Sequence, residues 1–384
     1  MQPMSDNKNL YFDCSATTKP YPEVLETFNR ISTDYFANPS SNHALGYASS
    51  GVLERARTQV ARYLGVLPEE IIFTSGATEG NNLGIKGVAY HARSWANRII
   101  TTKAEHPSVL NVFRELGKQG FDVVYLDYDS DGKLDMKQLE ESLNEKTSLV
   151  SVMAVNNEVG YIFPIHEIYQ LVHHKSRAVL HVDATQAICK LPFPGSDYDL
   201  MTFSGHKIGG LKGSGVLVRK KSVMMDELML GGSQENGYRA GTSFMGLDCS
   251  LATALRISMK AMPRHTANVR AINQYLREEL SGIDEIRIVS PKDASPYILN
   301  FAFLKHKGSV IAEALSNEGI YVSTKSACSS REPGLSYVIK GAGFDDIVAS
   351  NAIRLSFGGE ETLEQARMFV ESLKKILDDI KIKE

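Results

Sequence analysis

Between about residues 50 and 220 the chain alternates short runs rich in β-branched and aromatic residues with segments whose apolar positions recur at helical spacing. That alternation admits few folds, because strands separated by helix-length crossovers pair in parallel and are covered by helices on their faces. The runs Ile71 to Phe73, Arg98 to Thr102, Asp122 to Leu126, Leu149 to Val155, Ala178 to Val182, Leu200 to Phe203 and Val216 to Arg219 predict seven strands. The segments between them read as helices. Leu53, Ala56, Val60 and Leu64, for instance, share one helical face. The expectation is an α/β fold built on a mostly parallel seven-stranded sheet.

After about residue 260 the rhythm changes to a long charged helix, a strand near Tyr297 to Phe303, a helix near Ser309 to Asn317, a strand near Ile353 to Phe357 and a charged terminal helix. This predicts a smaller α+β domain, and 384 residues exceed what one core ordinarily holds. No Pro-rich or Gly/Ser-rich linker separates the parts, so the boundary is expected in a helix. The division runs 15–260 for the large domain and 1–14 with 261–384 for the small one.

Composition narrows the class of partner. Apolar residues make up 43% and charged residues 23%, which excludes a disordered or fibrous chain. A net charge of -3 gives no long-range attraction to nucleic acid or an anionic membrane. Cys14, Cys189, Cys249 and Cys328 lie far apart without a C-x-x-C pair, arguing against a zinc site or a disulfide framework. The first residues lack signal-peptide character, and no apolar run approaches the roughly 18 to 20 residues that span a bilayer. A soluble cytoplasmic protein with no metal, nucleic-acid or membrane partner is expected.

Several short segments carry chemistry. Ser204-Gly205-His206-Lys207 directly follows a buried strand, and ligands of open α/β sheets sit beyond the carboxyl ends of strands. Alone, such a lysine is ordinary surface chemistry. With Asp183, delivered by the strand ending at Val182, it becomes a pair suited to a pyridine-aldehyde cofactor: an amine for a Schiff base and an acid for the ring nitrogen. Alone, Asp183 reads equally as a strand-end or helix cap. A third segment, Ile71 through Glu79, runs from strand through Gly76 into a helix whose start at Ala77 and Thr78 offers N-H groups and a hydroxyl to an anion, though a plain capped helix fits it too. The glycines from Gly209 to Gly215 match no phosphate-loop spacing and read as a turn. Ser326-Ala327-Cys328-Ser329-Ser330 sets one thiol among small polar residues, whereas Cys189 and Cys249 lie in apolar or helical settings.

In order along the chain these segments resemble the cysteine desulfurases of the NifS/IscS type, in the class V aminotransferase group of fold-type I pyridoxal-phosphate enzymes. The resemblance runs from Tyr11-Phe12-Asp13-Cys14-Ser15-Ala16-Thr17-Thr18 through Asn38-Pro39-Ser40-Ser41-Asn42-His43, Glu105-His106, Val155-Asn156-Asn157-Glu158, His181 to Gln186 and Arg239-Ala240-Gly241-Thr242 to Ile353-Arg354-Leu355-Ser356. It implies pyridoxal 5'-phosphate as cofactor, Lys207 as its Schiff-base lysine, Asp183 at the pyridine nitrogen and Gln186 at the phenolic oxygen. It further implies Ala77, Thr78, Ser204 and His206 around the phosphate, joined by Thr242 from a neighbouring subunit of a homodimer. His106 is implied to stack on the ring and move protons. Asn157 and Arg354 are implied at cofactor and substrate carboxylate, with Asn38 assisting.

The implied reaction takes sulfur from free L-cysteine onto Cys328, leaves L-alanine, and passes the sulfur to an acceptor protein for iron-sulfur clusters or thiolation, which demands movement of the thiol's loop. The family usually has Ser-Gly-Ser-Ala-Cys where this chain has Thr324-Lys325-Ser326-Ala327-Cys328. A class V aminotransferase, a selenocysteine lyase and a non-catalytic binding protein are the rivals. Cys328, Asp183 and Lys207 discriminate among them.

Overall fold

A computed structural model describes residues 9–128, 133–192, 195–324 and 335–381. Its central sheet has seven strands: β1 (Ile71–Thr74), β2 (Arg98–Thr102), β3 (Asp122–Leu126), β4 (Thr147–Met153), β5 (Val179–Asp183), β6 (Leu200–Ser204) and β7 (Gly215–Arg219). In space they run β1-β7-β6-β5-β4-β2-β3, parallel from β6 through β3, with β7 antiparallel to both β6 and β1. Every residue of β4 and β6 is buried, as expected of strands covered on both faces. The predicted strands recur with shifts of one or two residues at their ends.

Helix Ala44–Leu64 presents Leu53, Ala56, Val60 and Leu64 to the core, and Gly65 ends it in a left-handed conformation (φ 68°). The long helix Met245–Ser281 begins about fifteen residues earlier than the charge pattern predicted, because its first turns carry Met245, Cys249, Leu251 and Leu255 into the large apolar core instead of exposing charge. Its later turns place Val269, Ile272, Leu276 and Leu280 in a second core with strands Ile298–Phe303 and Ala352–Ser356 and helix Leu363–Lys381. The passage between the two cores is therefore helical.

The chain start is built into that second core. Leu10–Tyr11 pairs in parallel with Ile320–Tyr321, and Phe12 packs edge-on against Phe357 and Phe369. The residues that follow are thereby carried to the carboxyl ends of β5 and β6. Among the described residues, no helix is long and apolar enough to cross a membrane.

Candidate active site

Three strand ends converge. β5 ends on Asp183, whose register partners are Met153 of β4 and Thr202 of β6. β6 ends on Ser204, and Gly205–Lys207 make one 3₁₀ turn. A Cβ at position 205 would stand 2.3 Å from Ser214 Oγ, so glycine is required for that turn to pack. β1 leads through Gly76 (φ 149°) into helix Ala77–Ala92, whose start receives no capping side chain from Gly76; the Ala77 N-H donates to Ser204 Oγ at 2.8 Å.

A cavity of about 180 Å³ lies at this convergence. Ala77 and Thr78 enter it from the helix start, Ser204, His206 and Lys207 from the turn after β6, and Asp183 and Gln186 from the segment leaving β5. His106, Asn157 and Arg354 complete the predicted residues on its wall. Thr242 and Asn38 are exposed and do not line it; Asn38 Oδ1 accepts from the Ser40 N-H at 2.9 Å. Cys328 and Lys325 lie outside the described residues.

Lys207 Nζ donates to the carbonyls of Ser15 and of Ala16, the latter at 2.7 Å. That turn is tied down independently, since the Thr18 N-H and hydroxyl both donate to His206 O (2.8 and 2.9 Å) and the Ser15 N-H donates to Ser356 Oγ (2.8 Å). Asp183 accepts from the Thr185 N-H through Oδ1 (3.0 Å) and from Asn81 Nδ2 through Oδ2 (2.9 Å), so it is a local cap and a cavity wall together. His106 likewise does two things. It caps helix Pro107–Lys118 by accepting the Ser108 N-H at Nδ1, and it faces the cavity, where burial pushes its pKa down with help from Lys207 and against Asp183. Burial, reinforced by Lys207, lowers His206 to about 4 and keeps it neutral.

Gln186 is fixed at both ends of its amide. Nε2 donates to Ser15 O (3.1 Å), and Oε1 accepts from Lys190 Nζ (2.7 Å), a lysine that burial lowers to about 8. The buried Arg354 donates to Asn157 O and to Asp13 Oδ1, both at 2.7 Å, while its Nε has no partner among the described residues.

Residues 10–369 match the family described as Aminotransferase class-V. This chain belongs to the class-V aminotransferase family. It is 40% identical to a NifS/IcsS protein homolog of Lactobacillus delbrueckii subsp. bulgaricus, over 96% of this chain and 97% of that one. It is 39% identical to a cysteine desulfurase of Homo sapiens, over 94% of this chain and 80% of that one. A solved NifS-like protein superposes with a TM-score of 0.91 at 35% identity, covering 96% and 99% of the two chains.

In this class-V chain several groups escaped the sequence reading. Asp13, the counter-ion of Arg354, stood in the quoted motif without a role, since nothing local shows that position 13 meets position 354. Asn81 carried a usable signal: it lies one helical turn past Ala77 and Thr78, on the face of the cradle. A larger cavity of about 310 Å³ also borders Lys207, but Asp183 does not line it, and its Lys190 and Cys14 are committed to Gln186 and Glu361.

Glu105 precedes His106 and is fully buried. Oε1 accepts from Thr102 Oγ1 (2.8 Å) and the Met153 N-H (3.0 Å), whereas Oε2 has no partner among the described residues. Burial raises its pKa from 4.5 to about 8 despite those hydrogen bonds. In the interval between these values the unfolded chain has released the proton and the folded chain keeps it, so this group's support of folding is complete below 4.5 and is lost as pH rises toward 8. Glu105→Gln is expected to flatten that slope and to gain on the order of 3 kcal/mol at pH 8 relative to pH 4. Urea midpoints of both proteins across that range check it.

Proposed function

We propose that this chain is a pyridoxal-phosphate-dependent cysteine desulfurase that converts L-cysteine to L-alanine and collects the sulfur on Cys328. The observation that carries the reading is an amine and an acid, Lys207 and Asp183, on one cavity wall beside the start of helix Ala77–Ala92. These groups fit the cofactor's three polar features. Lys207 would hold its aldehyde carbon, Asp183 its ring nitrogen, and Ala77, Thr78, Ser204 and His206 its phosphate, with neutral His206 able to donate one hydrogen bond without adding charge.

When bound, the cofactor supplies an electron sink that lets bonds at the substrate's Cα and then Cβ break. Lys207 accepts the Cα proton. Arg354 and Asn157 orient the substrate carboxylate, with Asp13 holding the guanidinium in place. Cys328, as thiolate, bonds to the substrate sulfur as the Cβ–S bond breaks, leaving a persulfide on the protein. A proton delivered at Cβ completes alanine, and Lys207 and His106 both border the cavity where it is needed.

The same reading puts the cofactor on the unit 15–260 and the thiol on the unit formed by 1–14 with 261–384. The exposure of Thr242 suits a residue that serves a second copy of the chain in a homodimer. The persulfide serves an acceptor protein in the cytoplasm, and the likeness to the NifS/IcsS homolog and the human cysteine desulfurase supports the desulfurase activity itself. The test is to incubate the protein, loaded with pyridoxal phosphate, with L-cysteine, quantify alanine, and map sulfur by peptide mass. One added sulfur on the Cys328 peptide with matching alanine is expected. A keto acid in place of alanine, or alanine with no adduct there, would overturn it.

A further inference from the structure

A chain of hydrogen bonds joins two cavity residues, His106 and Asp183, through groups given no role in the reading above, of which Ser108 itself borders the cavity. Asn81 Nδ2 donates to Asp183 Oδ2 and to Ser108 Oγ, both at 2.9 Å. Ser108 Oγ stands 2.8 Å from His106 Nδ1. On the other side of the amide, Thr202 Oγ1 donates to Asn81 Oδ1. Asn81 is fully buried on helix Ala77–Ala92, beneath the cradle, and Thr202 is fully buried in β6.

The chemistry of the partners fixes the direction of each bond. A carboxylate can only accept, so the Asn81 amide must turn its NH₂ toward Asp183 and its oxygen toward the Thr202 hydroxyl. Ser108 Oγ accepts one hydrogen from Asn81 and still has its own hydrogen to give to His106 Nδ1. The Ser108 backbone N-H also reaches Nδ1, at 3.2 Å, and an N-H can only donate. Two donors therefore converge on Nδ1, which must present a lone pair. A neutral imidazole then carries its hydrogen on Nε2.

We infer that Asn81 and Ser108 are positioning residues that lock His106 as the neutral Nε2-H tautomer and tie its ring to the carboxylate of Asp183. The consequence for the reaction rests on the desulfurase reading; the tautomer itself does not. Held this way, His106 enters the cavity as a hydrogen-bond donor, and a second proton on Nδ1 would face two donors. Taking the proton from Cα then falls to Lys207, while His106 presents its Nε2-H to the cavity as a donor. The charged and titratable groups around the chain are Asp183, Lys207, Glu105 and His181; burial keeps His181 neutral, so the relay's other end adds no cation.

The experiment labels histidine with ¹⁵N in the full chain and reads the His106 ring, assigned by comparison with His106→Gln, before and after loading with pyridoxal phosphate. The wild type is expected to show Nδ1 unprotonated and Nε2 protonated from about pH 6 to 9. Asn81→Leu, and Ser108→Ala should the first fold poorly, is expected to give a mixture of tautomers and a His106 that charges at higher pH. With L-cysteine, the Asn81 variant should lose roughly tenfold in kcat with KM little changed. A protonated Nδ1 in the wild type overturns the inference, and so do variant ring signals that match the wild type in a folded, cofactor-binding protein. Because the ring signals are read without substrate, a wild type that makes no alanine would remove the desulfurase reading and leave this test intact.

Discussion

Lys207→Ala is expected to lower alanine formation from L-cysteine roughly a thousandfold and to make bound pyridoxal phosphate removable by gel filtration, while the thermal midpoint stays close to that of the parent. Two losses coincide in this variant, the covalent hold on the cofactor and the group that carries the substrate's Cα proton. The fold should survive because the lysine's described contacts are two main-chain carbonyls, of Ser15 and Ala16, on a turn that Thr18, Ser356 and His206 hold without it. Alanine assays, together with borohydride trapping of cofactor on the parent and its absence on the variant, check the result. A variant turning over at the parent's rate would remove Lys207 from the reaction.

The second large effect is on stability. Arg57, from helix Ala44–Leu64, meets Glu235 in a buried two-bond fork (2.7 and 2.8 Å), and Glu235 Oε2 also accepts the Phe73 N-H of β1 at 2.8 Å. Reaching this position sets Glu235 and Asn236 at positive φ (48° and 57°), a conformation that costs L-residues and persists only where contacts outweigh it. Glu235→Gln leaves the buried Arg57 charge with the exposed Glu54 carboxylate, 3.2 Å from Nε, as its remaining ion-pair partner, and a loss of about 3 kcal/mol is expected. Asp248 softens the loss. Burial first, then Glu235, raises its pKa to about 8, so removing the Glu235 charge lowers that pKa and favours the ionised form that faces Arg57. Glu235→Gln with Asp248→Asn is accordingly expected to lose more than the two single variants combined. Urea unfolding of the four proteins at pH 7 closes that cycle. Because the pair anchors the strand leading to Thr78, affinity for pyridoxal phosphate should fall in parallel.

Much of this architecture was legible because strands covered by helices leave short apolar runs, and each of the seven, antiparallel β7 included, was read within a residue or two of its ends. The same pattern pointed to Asp183 and Lys207, since residues at the carboxyl ends of such strands have few other places to face. What escaped depends on contacts without local trace. The pairing of Leu10 with Ile320 carries Asp13 to Arg354 across most of the chain, and no periodicity reports it. The early start of helix Met245–Ser281 was hidden because its first turns are buried and carry little of the charge that marked the rest. The relay through Asn81 and Ser108 was hidden for a further reason: Asn and Ser near helix starts are ordinary capping residues, and only three-dimensional placement turns them toward Asp183 and His106.

One helix belongs to both apolar cores, and it contains Pro263, which cannot supply a main-chain donor to the turn before it. The two cores are thus joined through a helix whose hydrogen-bond ladder is interrupted once. Replacing Pro263 with alanine restores that donor, and slower amide exchange in the turn before residue 263 is the expected result.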